Sequence, residues 1–491
     1  MRTSHKFFWL LTILLSGTAG AQVLDWSNPQ RISSKNAYSR LIGKNQHGIY
    51  VLRCRKSDFK DDLILEKYKE SLGIDWSKPL QIERGGERIE KVIILDDGLF
   101  VFKQVSNFQN GQTEIWVKKL SFEGLDLLPY TEIESVRTLS FFDTDEKFKI
   151  QESENKKSFI VYYSQTATKD RLKLVAKQFD LMLKKFSDGT YTLDENVDEF
   201  YTDRLILTPA NKLFILCTRD DEKDRRKDEI VIKHYLISMD LLAGTSSKSN
   251  LNISGKIEGE ANMNYQEEKS ELIVAGFFSE KKSNSSAGYF VYKINVSSGA
   301  ITSNYQRFPK ELLARLLGEK KAEKEKEVED FMVNRIIPRS DGGVLIIAEC
   351  FYMVKQPYSY VVNGSAQNSY RNVYYYDEIM ILSVDSVGTL DWSQVINKSQ
   401  SSVNDGGYSS SFVCLVQKEA IHFYINERFR SNNQVLEYSL NSFGELKNKL
   451  LLKSANYYID IVPKESMQIA SNSILLVANK DRRFSLLKIT Y

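Results

Sequence analysis

Eight short, almost continuously apolar runs recur along this chain. They are "GIYVLRC" from residue 48, "GLFVFKQ" from 98, "SFIVYYS" from 158, "KLFILCT" from 212, "ELIVAGF" from 271, "GVLIIAE" from 343, "AIHFYIN" from 420 and "SILLVAN" from 473. A strand that is apolar on every residue has no solvent face, so it must be buried on both sides. After each comes a polar loop and a second run of alternating character, from "LILEKYK" at 63 to "FSLLKIT" at 484. A weaker strand usually precedes each pair, such as "EKVIIL" at 90 or "VNRII" at 333, and a fourth usually follows, such as "WSKPLQI" at 76. Four strands recurring every roughly 50 to 75 residues describe the blade of a β-propeller. The expected fold is all-β: eight four-stranded blades, or seven with one blade miscounted, filling residues 22–491 as a single domain.

The words "VLDWSNPQ" (residues 23–30) look like the tail of a repeat that has no blade before it. Close copies, "LGIDWSKPLQI" from 72 and "GTLDWSQVI" from 388, each follow a complete strand. At the other end, "SMQIA", "SILLVANK" and "RFSLLKITY" supply three strands and the chain stops at Tyr491. Pairing the first strand into the last blade would close the ring and remove two exposed edges at once. Trp26 is then expected to cover a blade end, with Asp25 in a turn.

The first 21 residues read as an export signal: Arg2 and Lys6, then the apolar "FFWLLTILL", then the small-residue cleavage site Ala19-Gly20-Ala21. That apolar core is shorter than the ~20 residues a membrane span takes. The expected location is outside the cytoplasm, periplasmic or associated with the outer membrane. Net charge is +3, and losing Arg2 and Lys6 with the leader leaves +1, a balance that argues against nucleic-acid binding.

The strand that ends in Gly and the Trp that follows are similar to the SBBP-type repeat of exported bacterial β-propellers, K-φ-x-x-x-G-x-φ-x-W. Gly388 to Trp392 fits its G-x-x-x-W spacing, and Gly73 to Trp76 is one residue short. The chain also resembles uncharacterised envelope propellers of Bacteroidota. These resemblances imply the fold and the export, and no activity. "SVDSVGTLDW" from 383 is similar to the sialidase Asp box with its Gly and Trp displaced; that box is itself a structural turn.

No motif of nucleophilic, metalloprotease, P-loop or calcium chemistry is present. Cys54, Cys217, Cys350 and Cys414 all lie inside apolar runs and read as buried, unpaired thiols rather than a disulfide framework. His47, His234 and His422 share no ligand spacing, so no zinc site and no cofactor is expected. The run "RDDEKDRRKDE" from 219 mixes signs between two strands and reads as a solvated hairpin loop.

Two insertions (residues 308–331 and 355–377) break the compact pattern around the sixth unit. The first holds Pro309 and the apolar stripe Leu312, Leu313, Leu316 and Leu317, a short helix followed by a Lys/Glu run. The second lies between that unit's second and third strands and reads as a Tyr-rich loop. It offers Tyr358, Tyr360, Tyr370, Arg371, Tyr374, Tyr375 and Tyr376 as candidate binding residues, with Asn363, Asn368 and Asn372. Tyr and Asn supply flat apolar area and adaptable hydrogen bonds, the chemistry of binding loops. Packing over the helix and blade edge is the competing account of the same tyrosines. Chain direction alternates along a blade, so both insertions should leave the ring on one face.

These features favour a non-enzymatic binding or scaffold protein of the cell envelope, with an envelope protein or outer-membrane complex as partner. The rival is a carbohydrate-active enzyme or glycan binder using the central funnel, with Asp203, Glu260 and Asp341 near innermost strand starts.

Overall fold

The computed structural model describes residues 22–31, 38–54, 63–82, 86–107, 110–137, 147–168, 171–194, 200–221, 231–251, 253, 256–281, 285–362, 365–429, 432–453, 459–480 and 483–491. The export signal and most of the mixed-charge run after Arg219 lie outside them, as does Asn363.

The chain forms eight antiparallel blades. Blade 1 consists of Tyr38–Asn45, Gly48–Cys54, Leu63–Tyr68 and Ile74–Leu80, hydrogen-bonded in that order. Blades 2 to 7 repeat the order over residues 87–137, 149–193, 200–250, 257–307, 331–396 and 412–453. Ile232 of blade 4 also pairs with Glu258 of blade 5, a backbone bridge between neighbouring blades. Blade 8 spans residues 459–490, and its first strand is split into Ile459–Ile461 and Met467–Ala470 around a turn of 3-10 helix at Pro463–Glu465. Its fourth strand is Val23–Trp26, paired in register from Val23 opposite Thr490 to Trp26 opposite Leu487. The opening words of the chain are a closing strand.

What holds the ring is visible in where the apolar side chains go. Eight hydrophobic clusters are present, and each lies at a seam between consecutive blades. Blades 1 and 2 share Tyr50, Leu65 and Val101, for example, and blades 6 and 7 share Ile381 and Phe423. The eighth seam joins blade 8 to blade 1 through Leu475, Phe484, Ile49 and Tyr68. The second strand of each blade therefore packs against a neighbour on both faces, which is why its sequence shows no alternation.

Two further observations concern the repeat words. The indole N–H of Trp76, on the outer strand of blade 1, donates to Phe122 O at 3.1 Å, in the Gly124 turn of blade 2. Trp392 of blade 6 repeats this on Ser442 O at 3.2 Å, in the Gly444 turn of blade 7. Trp26 does not: it remains 40% exposed, and none of its atoms lies within 4 Å of where a β-carbon on Gly73 would stand. The expected role of Trp26 as a blade-end cover is thus corrected. No disulfide forms among the described residues, and Cys54, Cys217 and Cys414 are buried.

The first insertion folds back onto the ring. Helix Lys310–Leu317 buries Leu312 and Leu313 in the seam between blades 5 and 6, with Leu316 and Leu317 packed beside them. After a four-residue helix, Glu319–Ala322, the chain pairs Val328–Glu329 with Ser285–Ser286. The Lys/Glu run is thus anchored at both ends.

Candidate functional site

The second insertion is not a loop. The second strand of blade 6 runs unbroken through Val344–Val362 and the third returns through Ser365–Val384, paired as far as Val362 opposite Ser365. Residues 351–362 continue past the end of the blade, a rise of about 35 Å at 3.3 Å per residue. Pairing overrode the loop expectation because β-favouring Tyr and Val residues on the two legs meet across the ribbon, as Tyr352 with Tyr375 and Val354 with Val373. A short strand, Gln400–Val403, joins the base by pairing with residues 373–376. Among the described residues, the outgoing leg from 351 and the return leg up to 372 have no second strand neighbour.

The register sorts the side chains into two faces. One carries Tyr352, Val354, Gln356, Tyr358 and Tyr360 opposite Tyr375, Val373 and Arg371; the other carries Met353, Lys355 and Pro357 opposite Tyr374, Asn372 and Tyr370. Tyr352 and Tyr375 stack at 4.7 Å, Tyr358 and Tyr360 at 5.7 Å, and Lys355 Nζ sits 5.1 Å from the Tyr370 ring centroid. Arg371 donates to Gln356 Oε1 at 3.1 Å. Tyr358, Tyr360 and Tyr370 are exposed, the last at 62%, and Tyr374 and Tyr375 are half-buried. Tyr376 is a base residue, 6% exposed, hydrogen-bonded by the Lys464 ammonium and packed on Phe351. The sequence grouped it with the exposed tyrosines because the paired register that separates them was not legible in a loop.

The helix and the arm do rise on the same face. Phe351 N donates to Asp330 O at 2.9 Å, tying the arm base to the end of the first insertion. Below the arm base, on that face, a cavity of about 400 Å³ opens into the central channel. Its wall includes Phe351, Tyr376, Arg204, Arg335, Glu349 and Lys464. Glu349 is buried and paired with Lys398 at 2.8 Å and Ser411 at 2.6 Å. Burial lowers the Lys398 ammonium below its usual value even with Glu349 beside it. Two more cavities follow the channel: about 520 Å³ around Arg40, Glu90, Lys91, Lys149 and Arg204, then about 630 Å³ at the far mouth around Lys44, His47, Lys156 and Phe122.

Two of the three candidate acids, Asp341 and Glu260, do not converge; the side chain of Asp203 lies outside the described residues. Asp341 sits in a turn between strands, held by Arg339 and accepting from Gly343 N at 2.9 Å. Glu260 is exposed on blade 5, and Asp203 is the bulge residue of blade 4. Neither Glu260 nor Asp341 lines the three channel cavities. Among the described residues no cluster of three or more metal-ligating side chains occurs, and no helix is long and apolar enough to cross a membrane.

No family model matches the chain, and no curated protein matches it. Solved structures similar to it include the WD40 domain of SCAP from fission yeast (9% identity, 96% of this chain and 98% of that chain, TM-score 0.41). Sqt1 of Chaetomium thermophilum is similar at 8% identity over 94% and 98%, TM-score 0.43. An oligogalacturonate lyase in complex with manganese is similar at 10% over 83% and 98%, TM-score 0.35. Scores this low carry no functional argument; the sheet order above establishes the propeller.

Proposed function

We propose that this chain is a non-catalytic binding propeller of the bacterial cell envelope that grips a protein partner with the arm of blade 6. The observation carrying this reading is the arm itself. A two-stranded ribbon is marginally stable in water, and this one keeps Tyr358, Tyr360 and Tyr370 in solvent on both of its faces. A partner that covers them buries aromatic area, and the unpaired legs accept an added strand from it. Export through the 1–21 leader fits the free edges of the arm being used outside the cytoplasm.

The test is photocross-linking in the source bacterium from a benzoylphenylalanine placed at Tyr360, compared with a chain lacking residues 356–371. One envelope protein captured by the first and lost in a folded deletion chain is the expected result. Capture unchanged after the deletion overturns the reading.

A further inference from the structure

The cavity beneath the arm has a charge pattern that the arm does not explain. Arg204 and Arg335 reach it from the inner strands of blades 4 and 6, and both are exposed to the channel. Among the described residues neither has a carboxylate partner. Arg204 donates through Nε to Asn262 Oδ1 at 3.2 Å, which leaves its terminal nitrogens directed elsewhere. Asn262 is itself fixed, since its amide donates to Val333 O at 3.1 Å and Asn334 O at 3.2 Å. Arg335 spends one terminal nitrogen on Cys414 Sγ, a weak acceptor, at 3.0 Å. Lys464 enters the same wall from blade 8. The acids nearby are engaged: Glu349 by Lys398 and Ser411, Glu465 by Arg40 at 2.8 Å.

Other ion pairs of this ring are made within or between adjacent blades, such as Arg53 with Glu66 and Lys119 with Asp97. Two guanidinium groups held by their stems, with open donor faces toward one cavity, form a preorganised carboxylate or phosphate site. Phe351 and Tyr376 join that cavity to the base of the arm.

We infer that the mouth of the channel on the arm face binds an acidic peptide segment, its carboxylates engaging Arg204 and Arg335. This deepens the proposed function, on which the choice of a polypeptide ligand rests: unpaired strand edges and exposed tyrosines next to the mouth suit a peptide chain. The cationic mouth supplies the register, by charge complementarity.

The probe is a fluorescein-labelled decaglutamate peptide, read by anisotropy against the chain from residue 22. Binding is expected at 50 mM salt and should weaken at 300 mM. Arg204→Gln and Arg335→Gln should each weaken it about tenfold, the loss of about 1.4 kcal/mol. Lys320→Gln, the same charge change at an exposed residue that does not line the mouth, should leave it unchanged. Circular dichroism melts show whether each variant is folded, and both arginines are exposed enough for glutamine to fit. No binding at low salt, or equal weakening by Lys320→Gln, overturns the inference. Tighter binding of digalacturonate than of decaglutamate overturns it in favour of an acidic sugar. Because the mouth residues survive loss of residues 356–371, the arm-deleted chain should still bind the probe. A failed arm and a failed mouth are thereby told apart.

Discussion

The indole of Trp392 lies against Gly444, one blade along the ring. Its N–H donates to Ser442 O at 3.2 Å, and a β-carbon on Gly444 would stand 2.8 Å from ring atom Cδ2. Gly444 has φ +82°, a conformation that side chains rarely adopt, so the turn needs glycine twice over. Two residues later Gln394 donates to Gly444 O at 2.9 Å. Trp76 and Lys78 make the same pair of contacts with the Gly124 turn, through Phe122 O and Gly124 O. These clasps bind the outer rims of neighbouring blades, at the margin of the seam cores against which Trp76 and Trp392 pack.

Trp392→Ala should therefore destabilise the ring by about 2–3 kcal/mol, at the low end for loss of a large aromatic because the ring is partly solvated. Gly444→Ala should cost about 1–2 kcal/mol from the left-handed backbone plus the ring clash. The double variant should cost less than the sum, since removing the indole relieves the clash. Urea titrations of the four chains measure the coupling; strict additivity would mean that the two residues do not act as one contact.

The closing strand invites a second test. Gln22 Nε2 donates to Glu437 Oε2 at 3.0 Å, and Tyr491 and His422 meet the other carboxylate oxygen. One blade 7 carboxylate thus gathers both ends of the described chain. Against the cost of burial, these donors and Lys449 hold its pKa at about 2. A depressed carboxylate stabilises the folded state above its unfolded pKa, and that stability is lost as pH falls from about 4.5 toward 2. Glu437→Gln should lower stability by a few kcal/mol at pH 7 and flatten the acid limb of a pH–stability curve. Removing residues 22–31 should open blade 8 and lower the melting temperature further than Glu437→Gln does.

Much of this was written in the sequence, and the reasons divide cleanly. The second strands were legible because burial on two faces erases alternation, the third because they alternate, and the closing strand because its words recur. The arm was not, since a hairpin that leaves its blade has no core to impose a pattern on residues 352–376. Asn304 shows another limit. It takes the place of Trp on the Gly388 turn of blade 6, its amide donating to Val387 O at 2.9 Å, yet no tryptophan marks it. Arg204 and Arg335 were invisible for a third reason: they come together only because the ring brings distant inner strands to one channel.

The arm predictions separate packing from recognition. Tyr376→Ala should destabilise the chain, since its ring packs on Phe351 and its hydroxyl is held by Lys464. Tyr358→Ser and Tyr370→Ser should leave the melting temperature within about 1 °C, as exposed substitutions away from special features usually lie within ±0.5 kcal/mol. The same two variants should reduce partner capture severalfold. A melting temperature that drops for Tyr358→Ser as it does for Tyr376→Ala would assign the arm tyrosines to packing.

The seam between blades 4 and 5 carries a pH dependence of its own. Glu258 is buried, accepts from Ile253 N at 2.7 Å and His234 N at 3.0 Å, and burial raises its pKa to about 7. His234 Nε2–H donates to Gly259 O at 2.7 Å, and burial lowers its pKa to about 4. The signs oppose. A raised carboxyl binds its proton more tightly when folded, so stability from Glu258 grows as pH falls from 7 to 4.5. A depressed imidazole refuses its proton when folded, so stability is lost as pH falls from 6.5 to 4. Between pH 6.5 and 4.5 the two should nearly cancel in the native chain. Glu258→Gln leaves His234 unopposed, and its unfolding free energy should then fall with acid across that window. His234→Gln leaves Glu258 unopposed and should make stability rise over the same range. Urea midpoints at pH 4.5, 5.5, 6.5 and 7.5 distinguish these slopes, and parallel curves for the two variants would exclude both assignments.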